Sequence, residues 1–213
     1  MTIVVLVLLS QAPKLDGRYV PEEVAKAIAA DTFSSLDTST GVSFGKTSVQ
    51  LGWGMETEER PWQWTKAGLL VRGQPVTWKV LRDGSVETDL RGELERLVFL
   101  PGVTQASLER RLQARHQAAF LRGREGEWRA PGHTLLLGKS VTLDGRASTL
   151  RAYPCALSCE VDTLCAEVKH PKASRSFAAT DGGLVEISLE GLCGELKTGV
   201  ELVDGGLRLQ RAP

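Results

Sequence analysis

Short segments of alternating apolar and polar residues recur along most of this chain, and several of them end in an Asp-Gly pair. The pairs are Asp83-Gly84, Asp144-Gly145, Asp181-Gly182 and Asp204-Gly205. Alternation with a period of two predicts strands that bury one face. Asp-Gly favours the tight turns of hairpins, because glycine readily adopts a positive φ. The pattern therefore constrains the fold to a mainly antiparallel, hairpin-rich sheet.

The predicted strands are spread over the whole chain. They cover residues 42–53, 67–72, 76–81, 86–90, 94–100, 133–137, 140–143, 148–153, 160–168, 184–189, 195–202 and 207–210. The polar segment 169–180 is expected to be a mobile loop, because loops at the surface are where polar residues collect.

Two segments carry a helical pattern instead. The first lies near 21–33, where Pro21 suits the first helical position and apolar residues recur at helical spacing. The second lies near 104–122, between an N-cap at Thr104 and Gly123, which suits the C-terminal turn. Runs of strands with two separated helices predict an α+β fold, with the sheet arranged as a sandwich or a half-barrel.

The first twelve residues have two interpretations. The apolar run 3–9 is too short to cross a membrane, and it matches the core of a signal peptide with a small-residue cleavage site at Ser10 and Ala12. No basic residue precedes the run and Pro13 follows the expected cut, so the alternative is a buried first strand over 3–9. We expect a signal peptide over 1–12 and a single domain over 13–213, with a sub-boundary near 123–132.

The cysteines predict a disulfide framework. Cys155, Cys159, Cys165 and Cys193 make an even count, as two closed bonds require. In an extended chain the Cα atoms of Cys155 and Cys159 would lie about 13 Å apart, beyond the ~7 Å that a disulfide spans. We favour a bond from Cys193 to one of the other three, with the remaining two joined locally, and the pairing stays open. Disulfides persist mainly outside the cytosol, so the periplasm, the cell envelope or secretion is expected.

The same segment offers a zinc site as an alternative. Cys155, Cys159, Cys165 and His170 provide three thiolates and an imidazole, a set that can hold zinc tetrahedrally. The spacing lacks the two close cysteine pairs of common zinc motifs, so the leading interpretation has no metal. With zinc, and with residues 3–9 as a buried strand, the chain would instead be an intracellular, cytoplasmic enzyme.

Charge and composition argue against several classes of partner. Lys plus Arg and Asp plus Glu are 26 each, so no global field draws the chain to nucleic acid or to an anionic membrane. No apolar stretch reaches the roughly 20 residues that a membrane-spanning helix needs, so no integral span is expected. Asparagine is absent and Arg outnumbers Lys, a bias typical of GC-rich bacterial genomes.

Two catalytic or nucleotide-binding motifs are incomplete. Residues 41–47 resemble a phosphate-binding loop that is one residue short, with no buried strand before it and no helix after it. The first five of these residues also spell G-x-S-x-G around Ser43, in the same unsuitable surroundings. His116, on the apolar stripe of the second helix, is the remaining candidate base. We expect no cofactor, and catalysis is the less favoured class.

Three tryptophans lie within twelve residues, at Trp53, Trp62 and Trp64. Indole rings at this density can line a ligand cleft or a protein-binding rim, although large aromatic side chains more often pack into a core. Because no catalytic motif is complete, we expect a non-catalytic binding module that contacts a protein or an apolar ligand through these tryptophans.

Overall fold

The computed structural model describes residues 11–54, 56–157, 161–171, 173–193 and 197–213. The chain divides into two compact units, Met1–Glu109 and Arg110–Pro213, so the division comes before the sub-boundary expected near 123–132. Whether 13–213 folds as one domain stays a prediction. Residues 1–10 lie outside the described ranges, and both interpretations of the first residues therefore lie there too.

The first unit is built mainly from antiparallel strands, and the helix that ends it continues into the second unit. Its elements are β1 (Gly17–Pro21), α1 (Glu22–Ala29), α2 (Ser35–Ser39), β2 (Gly41–Phe44), β3 (Ser48–Trp53), β4 (Glu56–Thr65), β5 (Gly68–Val71), β6 (Gln74–Val76), β7 (Trp78–Val80), β8 (Val86–Thr88), β9 (Glu95–Pro101) and α3 (Gln105–Leu121). The helices expected near 21–33 and 104–122 are confirmed as α1 and α3. Pro21 caps α1 from the end of β1 instead of occupying its first turn.

The sheet of the first unit closes on itself. Its hydrogen-bonded order is β6-β5-β4-β3-β2-β1-β9-β8-β7, and only Thr77 separates β6 from β7 along the chain. Residues 74–80 therefore pair with β5 through their first half and with β8 through their second half. At the change of partner, the Asp89 carboxylate accepts hydrogen bonds from the Thr77 N–H and hydroxyl at 2.8 and 3.0 Å.

Aromatic side chains fill the inside of this closed sheet. The ring centroid of Tyr19 lies 5.0 Å from that of Trp78 and 6.0 Å from that of Phe44. Aliphatic side chains of the neighbouring strands complete the core: Val42, Val49, Leu51, Leu69, Val71, Val86, Leu90 and Leu97. Closed sheets of about eight strands either pack their interior with side chains or hold one small ligand, and this interior is packed.

Two helices lie on the outside of this sheet. Helix α1 packs on β1 and β9 and buries Val24 and Ile28. Helix α2 packs on β3 and begins with a capping box, in which Ser34 and Asp37 satisfy each other's backbone N–H groups. Among the described helices, none combines the length and the apolar character needed to span a membrane.

The second unit continues from α3 into a second set of strands. They are β10 (Gly126–Ala130), β11 (His133–Leu137), β12 (Val141–Leu143), β13 (Arg146–Leu157), β14 (Val161–His170), β15 (Ala173–Thr180), β16 (Gly183–Cys193), β17 (Lys197–Leu202) and β18 (Arg208–Arg211). The expectation of a loop over 169–180 is wrong, because β14 and β15 pair as a hairpin through most of that segment. The backbone pairing of β14 with β15 holds this polar segment as a strand, which composition alone does not reveal.

The second sheet also closes into a ring. β12 pairs with both β11 and β13, and β18 joins β10 to β16. β17 runs parallel to the end of β13 and antiparallel to the second half of β16, so it closes a smaller ring with β13–β16. The turn at Asp204-Gly205 is therefore not a hairpin, since β17 and β18 both pair with β16 and not with each other. With these sheets and helices, the expected α+β, mainly antiparallel fold is confirmed.

Candidate functional site

The tryptophans predicted to contact a ligand lie on the inner face of the first sheet. Trp62 is paired with Val71 and Trp64 with Leu69, and both partners belong to the core. Because directly opposed residues point to the same face, Trp62 and Trp64 point inward. Trp53 ends β3 on the same face, and all three tryptophans are half-buried against the core.

Trp62 is held by specific contacts. Its ring meets Phe44 edge to face, with 5.0 Å between the centroids. Its indole N–H donates to the Gly45 carbonyl at 2.9 Å, which satisfies the polar end of the ring. Trp62 therefore has a structural role, and Trp53 and Trp64 are the better candidates for contact with a partner. That contact role stays a prediction for all three.

Charged side chains share the inner face with these tryptophans. Val49 is opposite Arg60 and Leu51 is opposite Glu58, so both charged residues point the same way as the core. Glu58 accepts hydrogen bonds from Arg60 and Arg72, and the Arg60 bond is the main reason that the pKa of Glu58 lies below its usual value. The guanidinium of Arg60 lies 5.9 Å from the centre of the Trp53 ring, and its Nε has no partner in the described residues. The exposed part of this face thus combines indole rings with an ion cluster of one carboxylate and two guanidinium groups.

A disulfide joins Cys155 of β13 to Cys165 of β14, with 5.8 Å between their Cα atoms. Cys155 is opposite Thr163 and Cys165 is opposite Tyr153, so the bond crosses the strand pair diagonally. Both cysteines are buried in the core of the smaller ring, which they form together with Ala178, Ile187 and Val200. The expected local disulfide is thereby found.

The other predicted cysteine positions are only partly described. Cys159 lies outside the described residues, and Cys193 is described by its backbone alone, at the end of β16. The zinc alternative loses two of its four ligands, because Cys155 and Cys165 are bonded to each other. Over the described ranges, no cluster of three or more His, Cys, Asp or Glu side chains could hold a metal ion.

A cleft of about 570 Å³ opens beside the first turn of α3, within the first unit. Its polar lining comes from the loop before β1, from β2 and β3, and from the start of α3. The polar side chains are those of Asp16, Ser43, Gln50, Thr104, Gln105 and Glu109. Ser43 sits in the middle of β2, paired with Gln50 of β3, and not on a strained strand-to-helix turn. No histidine is among the residues that line the cleft, so Ser43 has no neighbouring imidazole there.

The start of α3 fixes the wall of the cleft. Thr104 caps the helix, with its hydroxyl accepting from the Ser107 N–H at 3.1 Å while the Ser107 hydroxyl accepts from the Thr104 N–H at 3.0 Å. Gln105 is the next residue, and its side-chain amide N–H donates across one helical turn to the Glu109 carboxylate at 2.8 Å. The side-chain carbonyl oxygen of Gln105 (Oε1) is buried and has no partner among the described residues. This oxygen is therefore an unsatisfied acceptor that is closed off from solvent.

Arg18 is a buried cation that sequence reasoning missed. It lies on the face of β1 opposite Tyr19, is 2% exposed, and donates from Nη2 to the Ser39 carbonyl at 2.5 Å. Its Nε and Nη1 have no partner in the described residues. Burial lowers the pKa of Arg18 to about 10, while the charge of Glu109 acts in the opposite direction. Arg18 still carries its charge at neutral pH, and no sequence signal marks it, since a lone arginine beside an aromatic residue is common.

Gly41 and Gly52 make room for Arg18. A Cβ atom at Gly41 would lie 3.0 Å from the Arg18 Nε, and one at Gly52 would lie 1.7 Å from the Ser39 carbonyl oxygen. The two glycines are paired across β2 and β3, next to the Ser43–Gln50 pair in the cleft. Pairs two residues apart along a strand are separated by about 7 Å. Arg18 therefore lies beside the Ser43–Gln50 pair, on the same face of β2 and β3.

Comparison with models of protein families, with curated proteins and with solved structures gives no match to this chain, so its function must be argued from these sites.

Proposed function

We propose that the protein is an exported, non-catalytic binding module of the bacterial cell envelope. The buried Cys155–Cys165 disulfide carries the argument for export, because such bonds persist in oxidising compartments and are rare in the cytosol. In the cleft beside α3, no histidine lies among the residues that line it with Ser43, which supports binding in preference to catalysis by that serine.

The proposed contact surface consists of the exposed parts of Trp53 and Trp64 with the adjoining Glu58–Arg60 pair. Indole rings and arginine are enriched at protein interfaces, where they bury a large area and still hydrogen-bond. A protein partner suits this surface better than an apolar ligand does, since the interior of the first sheet is already filled by the aromatic cluster around Tyr19. An apolar ligand would have to displace that core.

Mass measurement tests the export half of the proposal. Since Cys155 and Cys165 are bonded to each other, a framework of two disulfides requires Cys159 bonded to Cys193. Protein isolated from its natural source, alkylated before reduction, should incorporate no alkyl group and should lack the first residues. Four alkylated cysteines with the N-terminus intact would refute export and support the cytoplasmic enzyme.

Site-specific photocrosslinking in the native host tests the binding half. A photoreactive residue replaces Trp64, which points inward at the rim, or Gln63, which is exposed on the opposite face of the same strand. We expect a crosslinked protein adduct from position 64 and none from position 63. Equal yields at both positions, or no adduct at either, would refute the proposed surface. A crosslink to lipid at position 64 would show that the ligand is apolar.

A further inference from the structure

The first half of β4 has a neighbouring strand on one side only. Residues 56–61 pair with β3, whereas β5 pairs with β4 only from Trp62 onward. Just after β5, the Arg72 N–H still donates to the Pro61 carbonyl at 2.9 Å. Among the described strands, none continues along β4 beyond that bond. We call the open side of residues 56–60 the β4 edge.

Alternate residues of β4 direct their backbone groups to opposite sides. In an antiparallel pair, a residue directs both its N–H and its C=O either toward the partner strand or away from it. The Pro61 carbonyl faces the side of β5, while the Trp62 N–H donates to the Thr47 carbonyl on the side of β3 at 3.2 Å. Counted back from Pro61 in steps of two, Thr57 and Glu59 also face away from β3. Their N–H and C=O groups have no hydrogen-bond partner among the described residues, so the β4 edge presents two donors and two acceptors in a row.

The side chains along the β4 edge are open to solvent. Thr57 and Glu59 are exposed on the outer face of the sheet, opposite to the inward-facing Glu58 and Arg60. An exposed row of unpaired N–H and C=O groups is a template for an added strand, and strand addition is a recurring mode of peptide recognition. At about 3.4 Å per residue, residues 56–60 are long enough to pair with about five residues of an extended chain.

The charges along the β4 edge restrict what can pair there. Glu58 is bonded to Arg60 and Arg72, but Glu56 and Glu59 have no ion-pair partner among the described residues. Opposite charges directly across a strand pair stabilise it, and like charges destabilise it. An added strand with Lys or Arg across from Glu59 is therefore favoured. A second copy of this chain is disfavoured, because its β4 edge would bring the same two carboxylates against this one.

We propose that the β4 edge binds an extended, basic segment of a protein partner, which pairs with Thr57 and Glu59 as an additional strand. The backbone of the segment supplies the missing donors and acceptors, and its Lys or Arg lies across from Glu59. Pro61 ends the pairing on one side, because it has no N–H and its carbonyl already bonds Arg72. The inference rests on the proposed function in that the partner is a protein, but it uses none of the tryptophan contacts.

Titration of the intact, isotope-labelled protein with short peptides, followed by NMR, tests the proposal. The probes are acetyl-Thr-Lys-Val-Lys-Thr-amide, the same peptide with Glu in place of Lys, and the Lys peptide methylated on the backbone nitrogens that would donate. Four hydrogen bonds of ordinary strength correspond to a dissociation constant of about 1 mM, so the titration extends to about 10 mM. The Lys peptide should shift the amide signals of Thr57 and Glu59 and slow their hydrogen exchange. It should bind about two- to thirty-fold more tightly than the Glu peptide, and the methylated peptide should not bind.

Two variants and a matched control assign the binding to the β4 edge. Thr57→Pro removes one outward N–H, and Pro61 shows that β4 accepts proline at a position facing the same way. This variant should bind the Lys peptide about two- to ten-fold more weakly. Glu59→Lys reverses the cross-strand charge and should weaken binding by about two- to thirty-fold. The control Glu93→Lys changes the net charge equally at an exposed position outside the strands, and it should bind as the unchanged protein does.

Three results would overturn the proposal. One is the absence of any shift at the Thr57 and Glu59 amides throughout the titration. Another is equal affinity for the Lys and Glu peptides. The third is slow exchange of these two amides in the protein alone, increasing with protein concentration, which would show that a second copy occupies the edge. Peptide binding that persists although position 64 gives no crosslink would refute the tryptophan surface and support the β4 edge, so the two failures are distinguishable.

Discussion

Loss of the Cys155–Cys165 bond should destabilise the second unit by an amount that follows from the length of the loop it closes. The two cysteines are 10 residues apart in sequence. Closing a loop of that length lowers the entropy of the unfolded chain by about 9 cal/mol/K, which corresponds to about 2.7 kcal/mol at 25 °C. For a unit of this size, about 2.7 kcal/mol corresponds to a fall of roughly 10–20 °C in the melting temperature.

The measurement compares oxidised and reduced forms of the variant Cys159→Ser/Cys193→Ser, in which only this bond can form. Reduction leaves both buried side chains in place, so the difference reports the cross-link and not a cavity. Urea titration gives the free energy of unfolding, and hydrogen exchange in β13–β16 assigns the change to the second unit. The variant Cys155→Ala/Cys165→Ala in the same background should not respond to reductant. A difference between the two redox forms below about 0.5 kcal/mol would refute the reasoning, because the entropy model predicts several times more.

Three further predictions concern packing, closure and pH. Gly52→Ala should lower the free energy of unfolding of the first unit by more than about 3 kcal/mol in urea titration, since its Cβ would lie 1.7 Å from a backbone carbonyl oxygen, whereas Gly138→Ala, with nothing within 4 Å, should be neutral. Asp89→Ala should cost about 1–3 kcal/mol by the same assay, because it removes both hydrogen bonds to Thr77 where the first sheet closes; an unchanged midpoint would show that closure does not depend on them. Burial lowers the pKa of His116 below its ordinary value of 6.5, so the folded protein favours the neutral imidazole ring. Its contribution to stability is present above pH 6.5 and is lost as the pH falls below that value. His116→Gln should therefore flatten the decline in melting temperature between neutral and mildly acidic pH, and an identical pH profile would contradict this.

Local patterns allowed the sequence to predict many of the elements that the structure contains, but not their pairing. The turn at Asp144-Gly145 was predictable because this pair of residues favours a turn with positive φ. In the structure both residues have a positive φ and join the paired strands β12 and β13. Asp204-Gly205 has the same composition, yet it joins strands that are not neighbours. The choice between these outcomes depends on which distant strand supplies hydrogen bonds, and a turn sequence carries no such information.

Strand β4 shows why some elements stay hidden in a sequence. Residues 56–61 carry three Glu, one Arg and one Pro and show no apolar alternation, so they read as an interruption between the tryptophans. In the structure this segment pairs with β3 along its length, and its inward-facing Glu58 and Arg60 neutralise each other. The β3 backbone dictates the strand, and the ion pair makes its inward face tolerable. Likewise, the cleft joins residues from four separated segments, which only the folded chain brings together.

The closed sheets also limit how either unit can recognise a partner. A sheet with a free edge can add a strand from another protein through its backbone. In the second unit, the described strands β12 and β17 each pair on both sides, and in the first unit residues 74–80 pair with β5 and β8 in turn. At these positions strand addition would require native pairs to break, whereas the first half of β4, residues 56–61, pairs with β3 alone among the described strands. Apart from that segment of β4, recognition has to come from side-chain surfaces, which is why the half-buried Trp53 and Trp64 are where binding is to be tested.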